Sequence, residues 1–407
     1  MKQGYLSQYF KGIASKTLSA VEADTRTSNQ HEFNGVSGLK KIFGTDRNTF
    51  QAKFIYLSDN DDEPPTEDGF LTWHDARENH PTRTEYRMYF PTTAVSVCAS
   101  AGDELFIGLK PDGSILAVVA ENGSTIANQL RWLFGITNVG HPGFSVRGEL
   151  ESEQDRIAFA SRLILEQIGI EVQESEDNFL DEMLRRFDCT FPETKVFSQY
   201  ARSTLKNITP LDNPDDVLMA WMEREEILFR TLEKHIVAEH LINKMESGFD
   251  GDVDGMSSFF LSMQNRRKSR AGQAFENHVE HLLTGRGIKF SRGKATENKA
   301  KPDFIFPGIE EYHDANFNIT LLTMLGVKTT CKDRWRQVLT EADKIPNKHL
   351  LTLEAAISEN QTNEMVSQNL QLVVPNAIRT SYSLQQQSWL MSITSFTELV
   401  LQRQKQT

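Results

Sequence analysis

A chain of 407 residues has room for two or three domains with sizeable cores. Its 39% hydrophobic and 25% charged content suits a globular chain, and no apolar run reaches the ~18–20 residues that a membrane span needs. A net charge of −12 weighs mildly against a nucleic-acid partner, although distribution matters more than the sum.

Acidic residues cluster at Asp59–Glu63 and Glu151–Asp155, whereas basic ones gather at Arg266–Arg270, Lys289–Lys301 and Lys328–Arg336. An acidic exterior with a basic cleft limits non-specific association. Cys98, Cys189 and Cys331 are odd in number and widely separated, so neither a disulfide framework nor a zinc site is expected. The first residues lack the apolar core of a secretory signal, and the expected location is a reducing cytoplasm.

In chain order, residues 50–57, 85–90, 104–109 and 114–120 read as strands between Asp/Asn/Gly/Pro turns, as in a barrel or sandwich. Helical periodicity follows over 155–168, with Ile157, Ser161, Ile164, Leu165 and Ile168 near one face. The polar stretch Gln173–Asn178 suggests a boundary. The expected division is an N-terminal domain at 1–175, a linker at 176–190 and a second domain at 191–407.

The second domain opens with long helices predicted over 215–241 and 267–283, the latter with Ala274, Phe275, His278 and Leu282 on one stripe. Strand and helix signals then alternate: strands at 303–306, 325–328, 350–353 and 370–374, and a helix at 332–344. A closing helix begins near Ser395, where Ser395 and Glu398 fit a capping box. Such alternation predicts a mixed sheet flanked by helices.

Lys301-Pro-Asp-Phe-Ile-Phe-Pro307, Val327 to Gln337 and Glu341-Ala-Asp-Lys-Ile345 carry the chemistry. Cleavage of an anionic phosphodiester calls for a carboxylate-held divalent cation and a positive charge beside the attacking water. Asp303 would bind the metal and Lys328 would meet the water or the scissile phosphate. Lys332 would assist or contact DNA. Glu341, at i, i+7 from Arg334, would return to within ~20° of the same helical face and complete the metal shell. Glu276 is a further carboxylate. The oxygen-rich set suits Mg²⁺.

Each of these residues also has a plainer reading. Asp303 could be a strand-edge residue, Asp333, Arg334 and Arg336 a solvated first turn, and Glu341 a surface partner of Lys344. Glu276 could lie on a solvated helix face. An ammonium on an apolar strand is harder to explain so, because burying Lys328 unpaired is costly.

From about Phe191 to about Pro375 the chain resembles the EcoRII family of type II restriction endonucleases. Those same strings carry the resemblance, with Asn265-Arg-Arg-Lys-Ser-Arg-Ala-Gly272 and Tyr312-His-Asp314. It implies an α/β restriction-endonuclease-like (PD-(D/E)XK) domain in which Asp303, Lys328 and Glu341 are catalytic, Asp303 and Glu341 hold Mg²⁺, and Tyr312, Lys332 and Glu276 support them. It also implies base readout by Asp333, Arg334 and Arg336, since arginine pairs with guanine and a carboxylate accepts from cytosine. Relatives flip a central base pair from a region that here holds Trp221, Glu223 and Arg224, with no one residue singled out.

The implied activity is hydrolysis of double-stranded DNA at a short palindrome containing CC/GG, of the IIE kind, by a homodimer that engages a second, effector site. The alternative is a DNA-binding regulator on an inactive nuclease fold.

Earlier in the chain, residues 29–36, 71–77 and 83–87 resemble a DNA-binding pseudobarrel found in other restriction enzymes and in plant transcription factors. That implies an effector surface of Asn34, Trp73, Arg77, Arg83 and Arg87. The competing reading makes Trp73 and Tyr86 core and pairs the arginines with Glu78 and Glu85.

Overall fold

β-Branched and aromatic runs broken by Gly and Asp turns build a first sheet in the computed structural model, which describes residues 2–23, 31–59, 63–137, 143–172, 177–246 and 253–407. Asn29, Gln30 and the acidic residues at 60–62 and 173–176 of the readings above lie outside the described residues. The strands are β1 (Gly12–Thr17), β2 (Glu32–Asn34), β3 (Asn48–Leu57), β4 (Thr66–Asp75), β5 (Tyr86–Tyr89), β6 (Glu104–Leu109), β7 (Ile115–Ala120) and β8 (Ser145–Arg147). Their order is β2-β5-β4-β3-β7-β6-β1-β8. β3 and β7 are parallel and the other pairs antiparallel.

The two-residue period of a strand gives this sheet two apolar faces. Leu105, Ile107, Ile115, Ala117 and Val119 pack on one side with Phe50, Phe54 and Trp73. Phe106, Leu116, Val118 and Ala120 pack on the other, with Ile126, Leu130, Ile164 and Leu165. Helices Thr125–Leu133 and Phe159–Gln167 supply those last four residues. The expected 155–168 helix therefore starts later, after a separate 3₁₀ turn at Glu153–Asp155.

The chain divides into one compact unit of Met1–Val172 with Ala356–Ser358, and a second of Gln173–Ala355 with Glu359–Thr407. The segment expected as a linker instead carries a helix at Asp177–Phe187. Met183 and Phe187 are buried with Phe197, Tyr200, Leu228 and Leu232. The acidic residues ahead of it hid the stripe Phe179, Leu180, Met183, Leu184 and Phe187, which has helical spacing.

The second unit holds a mixed sheet in the order β13-β12-β11-β10-β9. It comprises β9 (Ser291–Arg292), β10 (Phe304–Phe306), β11 (Thr323–Lys328), β12 (Lys348–Thr352) and β13 (Leu370–Val373). β9, β10 and β11 pair antiparallel, and β11, β12 and β13 pair parallel. Two long helices, Pro214–Glu246 and Val253–Gly285, pack against each other and extend beyond their predicted limits. Buried Asp215 fixes the first of them by accepting from the backbone N–H groups of Asn376, Ile393 and Thr394.

Two predicted helices differ. The 332–344 region is a 3₁₀ turn, Lys332–Arg334, followed by a short helix, Trp335–Leu339. The closing helix, Ile393–Gln404, is capped by Ser392, whose side chain accepts from Ser395 N. The predicted Ser395/Glu398 box thus lies one turn too late. Among the described residues, no helix is long and apolar enough to cross a membrane.

Candidate active site

Asp303 immediately precedes β10, and Lys328 ends β11. The antiparallel register Phe304↔Leu325 brings those two ends together. One carboxylate oxygen, Asp303 Oδ2, accepts from Val327 N–H at 2.7 Å and from Lys328 Nζ at 2.9 Å. The half-buried ammonium is therefore paired, which lowers the cost that an unpartnered one would carry. Both side chains keep some access to solvent, 15% for Asp303 and 22% for Lys328.

Beyond Lys328 the chain turns sharply, and the buried Glu354 carboxylate holds that turn by accepting from Cys331 N–H. Burial, with Glu354 beside it, pushes the Cys331 thiol well above its usual range. β11 also sits tight against the Trp335–Leu339 helix. A Cβ on Gly326 would lie 2.8 Å from Val338 Cγ2, so only glycine fits there without a shift.

Glu341 does not lie on a helix: the turn ends at Leu339, and Ala342 adopts φ +51°. The bend still delivers the carboxylate to this site. Burial first, and the Asp303 charge second, raise Glu341 to about 7, with Lys328 and Lys348 opposing. Glu341 Oε2 is buried without a hydrogen-bond partner. Glu276, on the Val253–Gly285 helix, is likewise raised by burial and by Asp303, while Arg292 at 2.9 Å opposes the shift. Two carboxylates raised by burial and by the Asp303 charge, one of them with an orphaned oxygen, offer oxygen donors of the kind a hard divalent cation takes.

Two cations of this neighbourhood were not singled out from sequence. Arg292 bridges Glu276 and Glu280 and also bonds Asn277 Oδ1. It lies in the basic Lys289–Lys301 run, where nothing separates it from its neighbours. Lys348 is buried on β12 and donates to Ile345 O at 3.0 Å. Burial lowers its pKa, and Asp343 and Glu341 oppose that.

The supporting residues divide. Tyr312 is fully buried, donates to Glu297 Oε2 at 2.5 Å, and accepts from Lys344 N–H at 3.2 Å. Its bonds tie Glu297 to Lys344 in the segment following Glu341, and among the described residues none of its hydrogen bonds is to Asp303 or Lys328. Burial and Glu297 push its pKa up. Lys332 is exposed, with φ +30° at the head of the 3₁₀ turn.

Arg334 is exposed, with no ion pair among the described residues. Arg336 is also exposed but is held by Glu364 at 2.8 Å and lies over the Trp335 ring. Asp333 belongs to the same turn, but its side chain lies outside the described residues. Trp221 is buried against His278 and His281, and Arg224 bonds Thr204 Oγ1.

The first unit corrects part of the effector surface. Trp73 is fully buried, donates to Gly44 O at 3.0 Å and stacks on Tyr86, so it is core. Arg77 pairs with Glu85, and Arg87 with both Glu85 and Glu32. The plainer reading holds for those three, except that Glu32 stands where Glu78 was expected. Asn34 and Arg83 are exposed.

A family model described as EcoRII C terminal matches residues 229–397. Over that segment the chain is similar to the EcoRII family. The type II restriction enzyme EcoRII of Escherichia coli is 39% identical over 230 residues, covering 56% of this chain and 55% of that enzyme. The type II restriction enzyme SsoII of Shigella sonnei is 29% identical over 189 residues, covering 40% of this chain and 60% of that enzyme. The chain thus matches less than two thirds of the length of either relative. Among solved structures, metal-depleted Ecl18kI in complex with uncleaved, modified DNA is 20% identical. It covers 57% of this chain and 86% of that one, with a TM-score of 0.46. Asp303, Lys328, Glu341 and Glu276 all lie inside the EcoRII segment, whereas Asn34 to Arg87 lie outside it.

Proposed function

We propose that this protein is a site-specific endonuclease that hydrolyses double-stranded DNA at a short palindrome containing CC/GG, with Mg²⁺ as cofactor. The single observation that carries the reading is the buried, unpartnered Glu341 oxygen beside an Asp303 carboxylate that Lys328 already bridges. Asp303 and Glu341 would hold the cation, with Glu276 behind them, in a restriction-endonuclease-like domain. Bound there, the cation supplies neutralisation of the charge that builds on the phosphate during attack.

The protein's own residues do the rest. Asp303 fixes the Lys328 ammonium at the site, where it meets a negatively charged phosphate oxygen or orients the attacking water. Val327 N–H holds the Asp303 carboxylate in place, so the pair needs no rearrangement when DNA arrives. Arg334, with Asp333 and Arg336, would read C·G pairs from the adjoining turn. A palindrome with two scissile phosphates calls for a two-fold dimer. The first unit, in this reading a pseudobarrel, binds a second DNA site and makes the enzyme type IIE, through a face that includes Asn34 and Arg83.

Digestion of a plasmid with and without Mg²⁺, followed by end sequencing, tests this. Discrete ends at one short sequence, formed only with Mg²⁺, are the expected result. A mobility shift without cutting would instead identify a regulator on an inactive nuclease fold.

A further inference from the structure

The basic string Asn265–Gly272 belongs to none of the roles above, yet it borders an open pocket of about 450 Å³. Arg266, Ser269, Arg270 and Gln273 come to this pocket at i, i+3, i+4 and i+7 on the Val253–Gly285 helix, and so from one face. The opposite wall is Phe191 to Lys195, the start of the Thr194–Ser203 helix. Its N-cap residue, Glu193, makes no side-chain capping bond, which leaves first-turn N–H groups without that partner. Lys195, Arg266 and Arg270 outnumber the one carboxylate, Glu193, in the lining.

Arg270 makes this more than a helix terminus. It is over nine-tenths buried, and its Nη1 donates to Pro192 O at 2.7 Å, on the pocket wall. Its Nη2 is buried with no hydrogen-bond partner. The guanidinium lies over Phe229 and Phe197, and that of Arg266 over Phe191, so both heads are held by rings. A run of ion pairs leads from this wall to the active site: Lys195 to Glu280, Glu280 to Arg292, Arg292 to Glu276. Arg270 and Glu276 are six residues apart on one helix, ~9 Å along its axis. That is about two to three nucleotide steps at a ~3.4 Å rise per strand.

We infer that this pocket binds a backbone phosphate of the DNA, a few nucleotides from the scissile bond. The exposed Arg266 fork, the Lys195 ammonium, a hydroxyl and the N–H groups of a helix start match a tetrahedral oxyanion, with the buried Arg270 charge behind them. The inference rests on the nuclease reading, because only a duplex lying across Glu276 and Asp303 puts a phosphate there.

The test uses the full-length protein in Ca²⁺ with fluorescent duplexes, one carrying the cleavage site and one not. Binding is measured from low to high salt for wild type, Arg266→Glu and Lys195→Ala. Both altered side chains are exposed, and equal melting curves will verify folding. The salt slope should shrink by ~0.9 for each lost phosphate contact, equally on both duplexes. Identical slopes in wild type and variants would overturn the inference while leaving the nuclease reading intact. Inorganic phosphate, at matched ionic strength, is the second arm. If it protects Arg266 from arginine-modifying reagent while the slopes stay equal, the pocket takes free phosphate and the inference also fails. A wild type that binds neither duplex would overturn both readings together.

Discussion

Lys328 Nζ lies 2.9 Å from Asp303 Oδ2, across two antiparallel strands whose ends meet at the same edge of the sheet. The same oxygen accepts from Val327 N–H, so backbone and ammonium together fix one carboxylate. Glu341 is the group that feels this arrangement most. It sits near two cations, but burial and Asp303 outweigh them.

That balance has a pH signature. Glu341 titrates near 7 when folded, against 4.5 for an ordinary glutamate, so the folded state holds its proton longer than the unfolded one. A raised carboxylate is a liability above its unfolded value: on its account, stability falls as pH rises from about 4.5 to about 7. A divalent cation binds only the ionised form, so its stabilising effect should grow over the same window. Tm measured against pH in chelator and in Mg²⁺ should diverge towards neutrality for wild type but not for Glu341→Gln. Equal divergence in the two proteins would remove Glu341 from the cation site.

The reach of the sequence is clear at this site. Asp303 is ordinary by itself, but it is legible in combination with Lys328, because an unpaired lysine on an apolar strand is costly, and antiparallel pairing brings the two together. Glu341 was expected on a helix and instead follows a bend with a positive-φ residue, a tertiary packing effect that periodicity does not encode. Arg292 was invisible because a basic run does not reveal which member faces Glu276 and Glu280. In the first unit, strand β6 fell at the predicted limits, whereas Trp73 in a polar motif concealed a core position.

Recognition should separate two neighbouring arginines. Arg334 is free of ion pairs among the described residues, whereas Arg336 must leave Glu364 to reach a base. Losing a bidentate arginine–guanine pair costs ~1–3 kcal/mol of discrimination. Arg334→Ala should therefore weaken target binding far more than non-target binding, as read by competition titration. Glu364→Ala should strengthen DNA binding by releasing Arg336. Equal losses on both DNAs for Arg334→Ala would mark a phosphate contact instead.

Trp73 should behave as a core residue. Emptying its site on β4 removes a stack on Tyr86 and a bond to Gly44, and large-to-small changes of this kind cost ~3–5 kcal/mol. Denaturant melts of Trp73→Ala should show that loss in the first unit. Unchanged stability with lost DNA binding would restore Trp73 to the effector surface.

Separability of the units gives a further check. A fragment beginning at residue 173 keeps Met183 and Phe187, whereas one beginning at 190 removes both from the core they share with Phe197 and Tyr200. The longer fragment should fold and cut, the shorter should melt at lower temperature. If the first unit inhibits the nuclease, the longer fragment should also cut single-site DNA at least as well as the full chain. Poorer cutting would show that the first unit delivers DNA.

The central claim is that Asp303 serves the chemistry and not the docking of DNA. Single-turnover cleavage in Mg²⁺ and equilibrium binding in Ca²⁺, measured side by side for wild type and Asp303→Ala, test it most directly. The account predicts that the variant loses at least ~10²-fold in cleavage rate while target binding is kept or tightened, since a negative charge near DNA has been removed. Cutting by Asp303→Ala near the wild-type rate would contradict it.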